Sequence, residues 1–262
     1  MRLRSLHSVV VFVLALGLAG CGRSESYRYK LTLAVNMPDG VKRSSSVTGW
    51  DFWEVSIPAR GTPHRIRGQA LYLDLGPGAR PLIALLTSHL HEKKHIGVVW
   101  DWDGASLFSG FHGLETSFGN GDALLDWAAR LSHMRGPATI TPADLPDLVT
   151  FADINDPNSV IEVDPNDLQA TLGPNITWNE LTIDMTDEPV TKGIELKLPW
   201  IPYYWCGMLD GARYKDKRTL ANTLSTADFD QSEESSERIK EKLRGNIESE
   251  CQKSRTEWLS KR

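Results

Sequence analysis

Between Tyr27 and Asn36 the chain alternates without a break, with Tyr27, Tyr29, Leu31, Leu33 and Val35 set against Arg28, Lys30, Thr32 and Asn36. A period of two sends successive side chains to opposite faces of an extended backbone, so this stretch reads as a half-buried strand. Pro38-Asp39-Gly40 follows it. These supply a fixed φ, a side chain that bonds its own turn, and a residue free to take positive φ, which together predict a hairpin. The return strand begins at Val41, crosses Ser44 to Ser46, and resumes alternating as Phe52, Glu54 and Ser56 against Trp53, Val55 and Ile57. A body that opens this way is committed to antiparallel sheet, because strands adjacent in sequence pair directly through a short turn.

The next segments continue the pattern. Residues 66 to 75 alternate with Leu71, Leu73 and Leu75 in phase, and Gly76-Pro77-Gly78 ends the run. Pro81 to Leu90 is more uniformly apolar, as expected of a strand in the middle of a sheet, and Ile96 to Trp102 reads as its partner. Gly104 to Gly121 interleaves five glycines with Phe108, Phe111 and Phe118. It is too long for a simple turn, and reads as a functional loop or one packed by its own aromatics.

The firmest helix spans 122 to 135, where Leu124, Trp127, Ala128, Leu131 and Met134 form one stripe and Gly136-Pro137 is the stop. Short strands are expected at 148–151 and 160–163, a helix start at Thr141-Pro142-Ala143-Asp144 and another at Asp164-Pro165-Asn166-Asp167, and a longer strand at 176–185. Residues 189 to 205 hold Trp200, Tyr203, Tyr204 and Trp205 with no regular period. From about Asp228 the composition turns to Glu, Lys, Arg and Ser, with Ile239, Leu243, Ile247 and Cys251 recurring every four residues. That narrow stripe reads either as one docked helix or as a solvated helical or disordered tail. The fold class is α+β: an antiparallel strand-rich N-terminal half, one firm helix, and a charged tail. A single domain is expected at 27–227, with the tail at 228–262.

The first twenty residues have the parts of a secretory leader, with Arg2 and Arg4, an apolar run from Val9 to Leu18, and small residues after it, set against a buried N-terminal helix that would have to hold Gly17 and Gly20 and show no polar face. The apolar run is about half of the roughly twenty residues a membrane-spanning helix needs. Leu18-Ala19-Gly20-Cys21 resembles the lipobox of bacterial lipoproteins. The resemblance implies a signal peptide at 1–20, cleavage before Cys21, and lipidation of its sulfur with palmitate-type acyl chains. Two or more such chains anchor stably where one binds only marginally. Residues 21–26 would then be a tether to the membrane, with the body facing the periplasm. Gly22, where an aspartate would hold such a protein at the inner membrane, favours the outer membrane by the same resemblance.

The formal charge is -5, and -7 once the leader is removed with its two arginines. An acidic chain lacks the basic face that nucleic acid or a second, polybasic membrane contact would require. With Cys21 assigned to lipid, Cys206 and Cys251 remain. In an oxidising envelope they either pair, closing a loop worth on the order of 3 to 4 kcal/mol, or stay as two free, partly buried thiols.

Three side-chain groupings are candidates for chemistry. His89, His91 and His95, with Glu92, have the composition of a zinc site on a strand end, set against an ordinary polar hairpin tip. Asp153, Asp156, Asp164 and Asp167 with Asn155, Asn158 and Asn166 are rich in oxygen, but their spacing is not that of a calcium loop and matches turn chemistry instead. Nine tryptophans are present, and Trp50, Trp53, Trp100 and Trp102 sit beside carboxylates, the composition of a sugar-stacking or peptide-binding face. Asp101 and Asp103 also form a weak carboxylate pair of glycosidase type. Ser109-Gly110-Phe111-His112-Gly113 lacks the strand-turn-helix context of a hydrolase nucleophile. No cofactor motif is found.

The segments Tyr27-Arg28-Tyr29-Lys30-Leu31-Thr32, Pro38-Asp39-Gly40, Asp164-Pro165-Asn166-Asp167-Leu168, Thr186-Asp187-Glu188-Pro189-Val190 and Leu209-Asp210-Gly211-Ala212-Arg213-Tyr214 resemble an uncharacterised family of proteobacterial envelope proteins. The resemblance covers most of 27–230 and implies a Gram-negative source, without functional residues to carry across. The expectation is a non-enzymatic lipoprotein that binds or scaffolds an envelope protein or saccharide. The alternative is a metal- or carboxylate-dependent hydrolase of envelope polymers.

Overall fold

The computed structural model describes residues 22–54, 63–87, 121–141, 144–216 and 218–261. Its organising element is the expected hairpin. β1 (Ser24–Met37) and β2 (Gly40–Trp53) pair antiparallel from Ser24↔Trp53 to Met37↔Gly40 without interruption. Gly40, at φ 128°, takes the backbone position that an L side chain resists. β1 starts three residues earlier than the apolar alternation does. Residues 24–26, expected in the tether, are strand because a ladder needs only main-chain groups, and their partners Asp51 to Trp53 supply them.

The remaining strands are β3 (His64–Arg67), β4 (Leu71–Leu73), β5 (Leu82–Ala84), β6 (Ala138–Thr139), β7 (Leu148–Phe151), β8 (Val160–Glu162) and β9 (Thr177–Met185). They form two antiparallel sheets, ordered β3-β2-β1-β9-β6 and β4-β5-β7-β8. The alternating run at 66–75 is therefore two strands in different sheets. The chain changes sheet at Gly68, where a Cβ would meet the Thr48 hydroxyl oxygen at 2.7 Å, so only glycine lets the crossing backbone lie that close to β2. Beyond Gly68, the Ser46 hydroxyl donates to the Gln69 carbonyl and that of Ser44 to the Tyr72 carbonyl, tying β2 to the second sheet.

The first core lies between the sheets. Tyr29, Leu33, Leu181 and Ile183 face Leu71, Leu73, Leu82, Ala84 and Leu148. α1 (Gly121–Ser132) adds Leu125, Trp127, Ala128 and Leu131, with the Trp127 ring edge-on to Tyr27 at 5.8 Å. This helix ends three residues before the expected stop at 135, and Leu125, outside the expected stripe, is among its buried residues.

The second core lies on the other face of the small sheet. Ile83, Leu85, Val149 and Phe151 pack there against Leu198, Trp200, Leu209, Leu224, Phe229 and Trp258. Trp200 is its centre, 5.6 Å from Phe151 and 5.4 Å from Phe229 by ring centroids, with its indole N–H donating to the Ile154 carbonyl. Every residue of β5 is buried because each face of this strand meets a core. That is the origin of its uniform apolarity.

The change of composition near Asp228 does not coincide with a loss of packing. Ala70 N–H donates to Phe229 O, Leu86 N–H to Asp228 O and Gln231 N–H to Gly68 O, so residues 228–231 close over the sheet crossing. After the short α2 (Gln169–Leu172), the remaining helices are α3 (Glu233–Lys242), capped by Ser232, and α4 (Ile247–Leu259), capped by Asn246. The break at Gly245-Asn246 divides the four-residue stripe. Leu243 and Ile247 are exposed, while Ser254 and Trp258 dock the second helix.

Candidate functional site

α4 lays its 247–259 face over a loop at 206–213, and the two are joined by the Cys206–Cys251 disulfide, with Cα atoms 6.0 Å apart. The loop is shaped by local bonds. Met208 N–H donates to Ala212 O at 2.8 Å, Asp210 Oδ1 accepts from Ala212 N–H, and Asn222 Nδ2 donates to Asp210 Oδ2. Gly207 sits at φ 86°, and a Cβ there would lie 2.3 Å from the Ala212 carbonyl oxygen. The tight turn therefore requires glycine on both conformational and steric grounds.

Arg255, one helical turn beyond Cys251, holds the loop from above. Its Nη1 donates to the Gly211 carbonyl and its Nη2 to that of Cys206, while its guanidinium lies 5.9 Å from the Tyr204 ring. Arg213, at the end of the loop, stacks over Tyr214 at 5.2 Å. Between them opens a cavity of about 420 Å³, bounded by the disulfide, Arg213, Ile247, Glu248, Arg255 and Leu259. Ile247 and Leu259 are 49% and 59% exposed, so the aliphatic wall is open to solvent.

The helix pair behind the cavity carries its own polar contacts. Lys242 Nζ donates to Ser254 Oγ at 3.0 Å and to the Pro202 carbonyl, over the face of Trp205. Burial, reinforced by Arg238, lowers the pKa of this ammonium. Trp205 donates its indole N–H to the same Ser254 hydroxyl, and Trp258 stacks on Tyr203.

The aromatic face expected at Trp50 and Trp53 does not exist as one surface. Trp50 is 3% exposed and lies in the first core, stacked on Phe52 at 5.7 Å and His64 at 5.5 Å. Trp53, three residues on, points to the other face and is 38% exposed. Beside Trp50, burial raises the pKa of the Tyr29 phenol well above its usual range, against hydrogen bonds with Trp50 and Thr48. Trp100 and Trp102 lie outside the described residues, as do His89, His91, His95, Asp101, Asp103, residues 104–120 with Ser109 and His112, and residues 1–21 with Cys21.

The aspartate-rich turns do what their spacing implies. Asp153, Asp156 and Asp164 each accept from the N–H two residues ahead, those of Asn155, Asn158 and Asn166. Among the described residues no group of three or more His, Cys, Asp or Glu is placed to hold a metal ion.

Ile247 belongs to the four-residue stripe noted in the sequence, whereas Arg213, Arg255 and Leu259 were not singled out as site residues, although a signal for the last two is present. Ile247, Cys251, Arg255 and Leu259 continue the four-residue spacing that begins at Ile239, and this shared helix face is the roof of the cavity. Comparison with protein-family models, with curated proteins and with solved structures finds no match.

Proposed function

We propose that the chain is a lipid-anchored protein of the cell envelope, facing the periplasm with the outer membrane favoured, and that it acts by binding. The observation that carries the location is the Cys206–Cys251 disulfide. Such bonds persist in oxidising compartments and are rare where thiols are kept reduced. It agrees with the leader ending at Leu18-Ala19-Gly20-Cys21, which was read without reference to it. Binding is supported by the cavity under α4. Its volume lies within the several hundred Å³ usual for small-ligand sites, and its lining joins Ile247, Leu259 and the disulfide to a few polar groups, Gln252, Thr256, Glu248, Arg213 and Arg255.

Two measurements test this reading. In a Gram-negative host fed labelled palmitate, the product is expected to carry label and the mass of a diacylglyceryl group, both lost in Cys21→Ser. An unacylated or uncleaved product overturns the location. The apolar fluorophore 1-aminoanthracene is expected to bind the body that starts at Gly22, and to lose that binding in Ile247→Asp. Binding unaffected by that substitution removes the pocket from the proposal.

A further inference from the structure

The cavity under α4 joins an apolar wall to positive charge that the protein does not neutralise. Arg255 is half buried; two of its N–H donors go to main-chain carbonyls, and its Nε is enclosed without an acceptor. Among the described residues neither Arg255 nor Arg213 has a carboxylate within ion-pair distance. Glu248 is the single acidic residue lining the cavity, exposed and paired with neither arginine. A guanidinium drawn partly out of water and held only by neutral carbonyls favours an anion beside it, because its remaining donors and its charge are both unanswered. The planar fork of arginine suits two-oxygen groups, carboxylate and phosphate above all.

On the same helix face Ile247, Leu259 and the disulfide flank Arg255 with apolar surface, Gln252 and Thr256 being the uncharged polar side chains beside them. An aliphatic chain gains there by leaving water, and a small polar anion gains nothing. Resting on the reading of this pocket as a binding site, we infer that its ligand is an anionic amphiphile. The acyl or alkyl tail lies along Ile247, Leu259 and the Cys206–Cys251 bridge, and a carboxylate or phosphate head meets Arg213 and the free donors of Arg255.

The test uses the chain from Gly22 with its disulfide intact, titrated calorimetrically with decanoate, decyl phosphate and decanol below their aggregation limits. Both anions share the tail of the neutral alcohol, so the difference isolates the head. At least one anion is expected to bind tenfold or more tightly than decanol, about 1.4 kcal/mol, and the tighter of the two tells a fatty acid from a lipid phosphate. Arg213→Ala is expected to reduce that preference at least fivefold, with Arg213→Lys restoring part of it. Ile247→Asp is expected to abolish all binding, with the unfolding midpoint of each variant measured alongside. Decanol binding as tightly as the tighter anion, or an Arg213→Ala variant that keeps the full preference, overturns the inference while leaving an apolar binding site. No binding by any of the three overturns both the inference and the site.

Discussion

Removing the cross-link between Cys206 and Cys251 perturbs one quantity in a calculable way. The bond closes a loop of 45 residues, and the chain-entropy relation gives about 4 kcal/mol for the disorder it withholds from the unfolded chain. Little native contact should be lost with it. Arg255 still bonds the Gly211 and Cys206 carbonyls, and Trp258 remains buried against the second core. Cys206→Ala/Cys251→Ala is therefore expected to lower unfolding stability by about 3 to 4 kcal/mol while the near-ultraviolet dichroism of the folded state is unchanged. Urea titration followed by tryptophan fluorescence and by far-ultraviolet dichroism reads both the midpoint and the slope. The slope should rise, because the uncrosslinked unfolded chain exposes more surface. A loss below about 1 kcal/mol, far short of the loop-entropy figure, would refute the reasoning. So would a new transition confined to α3 and α4, which would show that the bridge holds native structure in place rather than restricting the unfolded chain.

Other consequences can be checked with the same chain. Trp200→Ala should cost about 3 to 5 kcal/mol, since it empties the middle of the second core and orphans the Ile154 carbonyl, and the urea midpoint reads it. Trp50→Ala should destabilise by a similar amount and Trp53→Ala by well under about 1 kcal/mol; equal thermal shifts would refute the assignment of these residues to opposite faces. Ending the chain after Gln231 removes Trp258 and the cover over Tyr203, and should leave a protein that binds the hydrophobic dye anilinonaphthalene sulfonate and unfolds at lower urea. Pairing with Lys192, Lys240 and Lys261 lowers the pKa of the Glu234, Glu237 and Glu257 carboxylates respectively. A group lowered on folding contributes stability above its unfolded pKa and loses it as pH falls through the folded value, so thermal midpoints should fall on acidification below about pH 4.5, the unfolded end of that window. Glu234→Gln/Glu237→Gln/Glu257→Gln should flatten that fall, and an unchanged acid profile would show that these exposed pairs contribute nothing.

What was readable in the sequence is what has a period. β1 and β2 declare themselves through alternation and Pro38-Asp39-Gly40, β5 through an apolar run with no polar face, and α1 through its stripe. The sheet change at Gly68 shows only as a shift of phase between Ile66 and Leu71, Leu73 and Leu75, and Gly68, Gln69 and Ala70 between them carry no large apolar side chain to mark it. The second core is hidden because it is assembled from single large residues, Trp200, Leu209, Leu224 and Phe229, on turns that repeat at no fixed interval. Trp50 and Trp53 were grouped by composition, although an odd separation within a strand already places them on opposite faces. The four-residue stripe reads equally as a docking seam or as one side of a solvated helix. Its second half lines the pocket, and Ser254 and Trp258, directly beside it on the helix surface, supply the burial of α4.

β5 separates two hydrophobic compartments by the thickness of one polypeptide ribbon, with Ile83 and Ala84, neighbours in the chain, serving different sides. The material for one compartment is complete by Met185, whereas the other waits for Phe229 and Trp258. During synthesis or refolding, the ribbon therefore passes through an interval in which one side is clothed and the other bare. That bare side, carrying Ile83, Leu85, Val149 and Phe151, is the surface on which misassembly would begin, and the last thirty or so residues, from Phe229 onward, end the exposure.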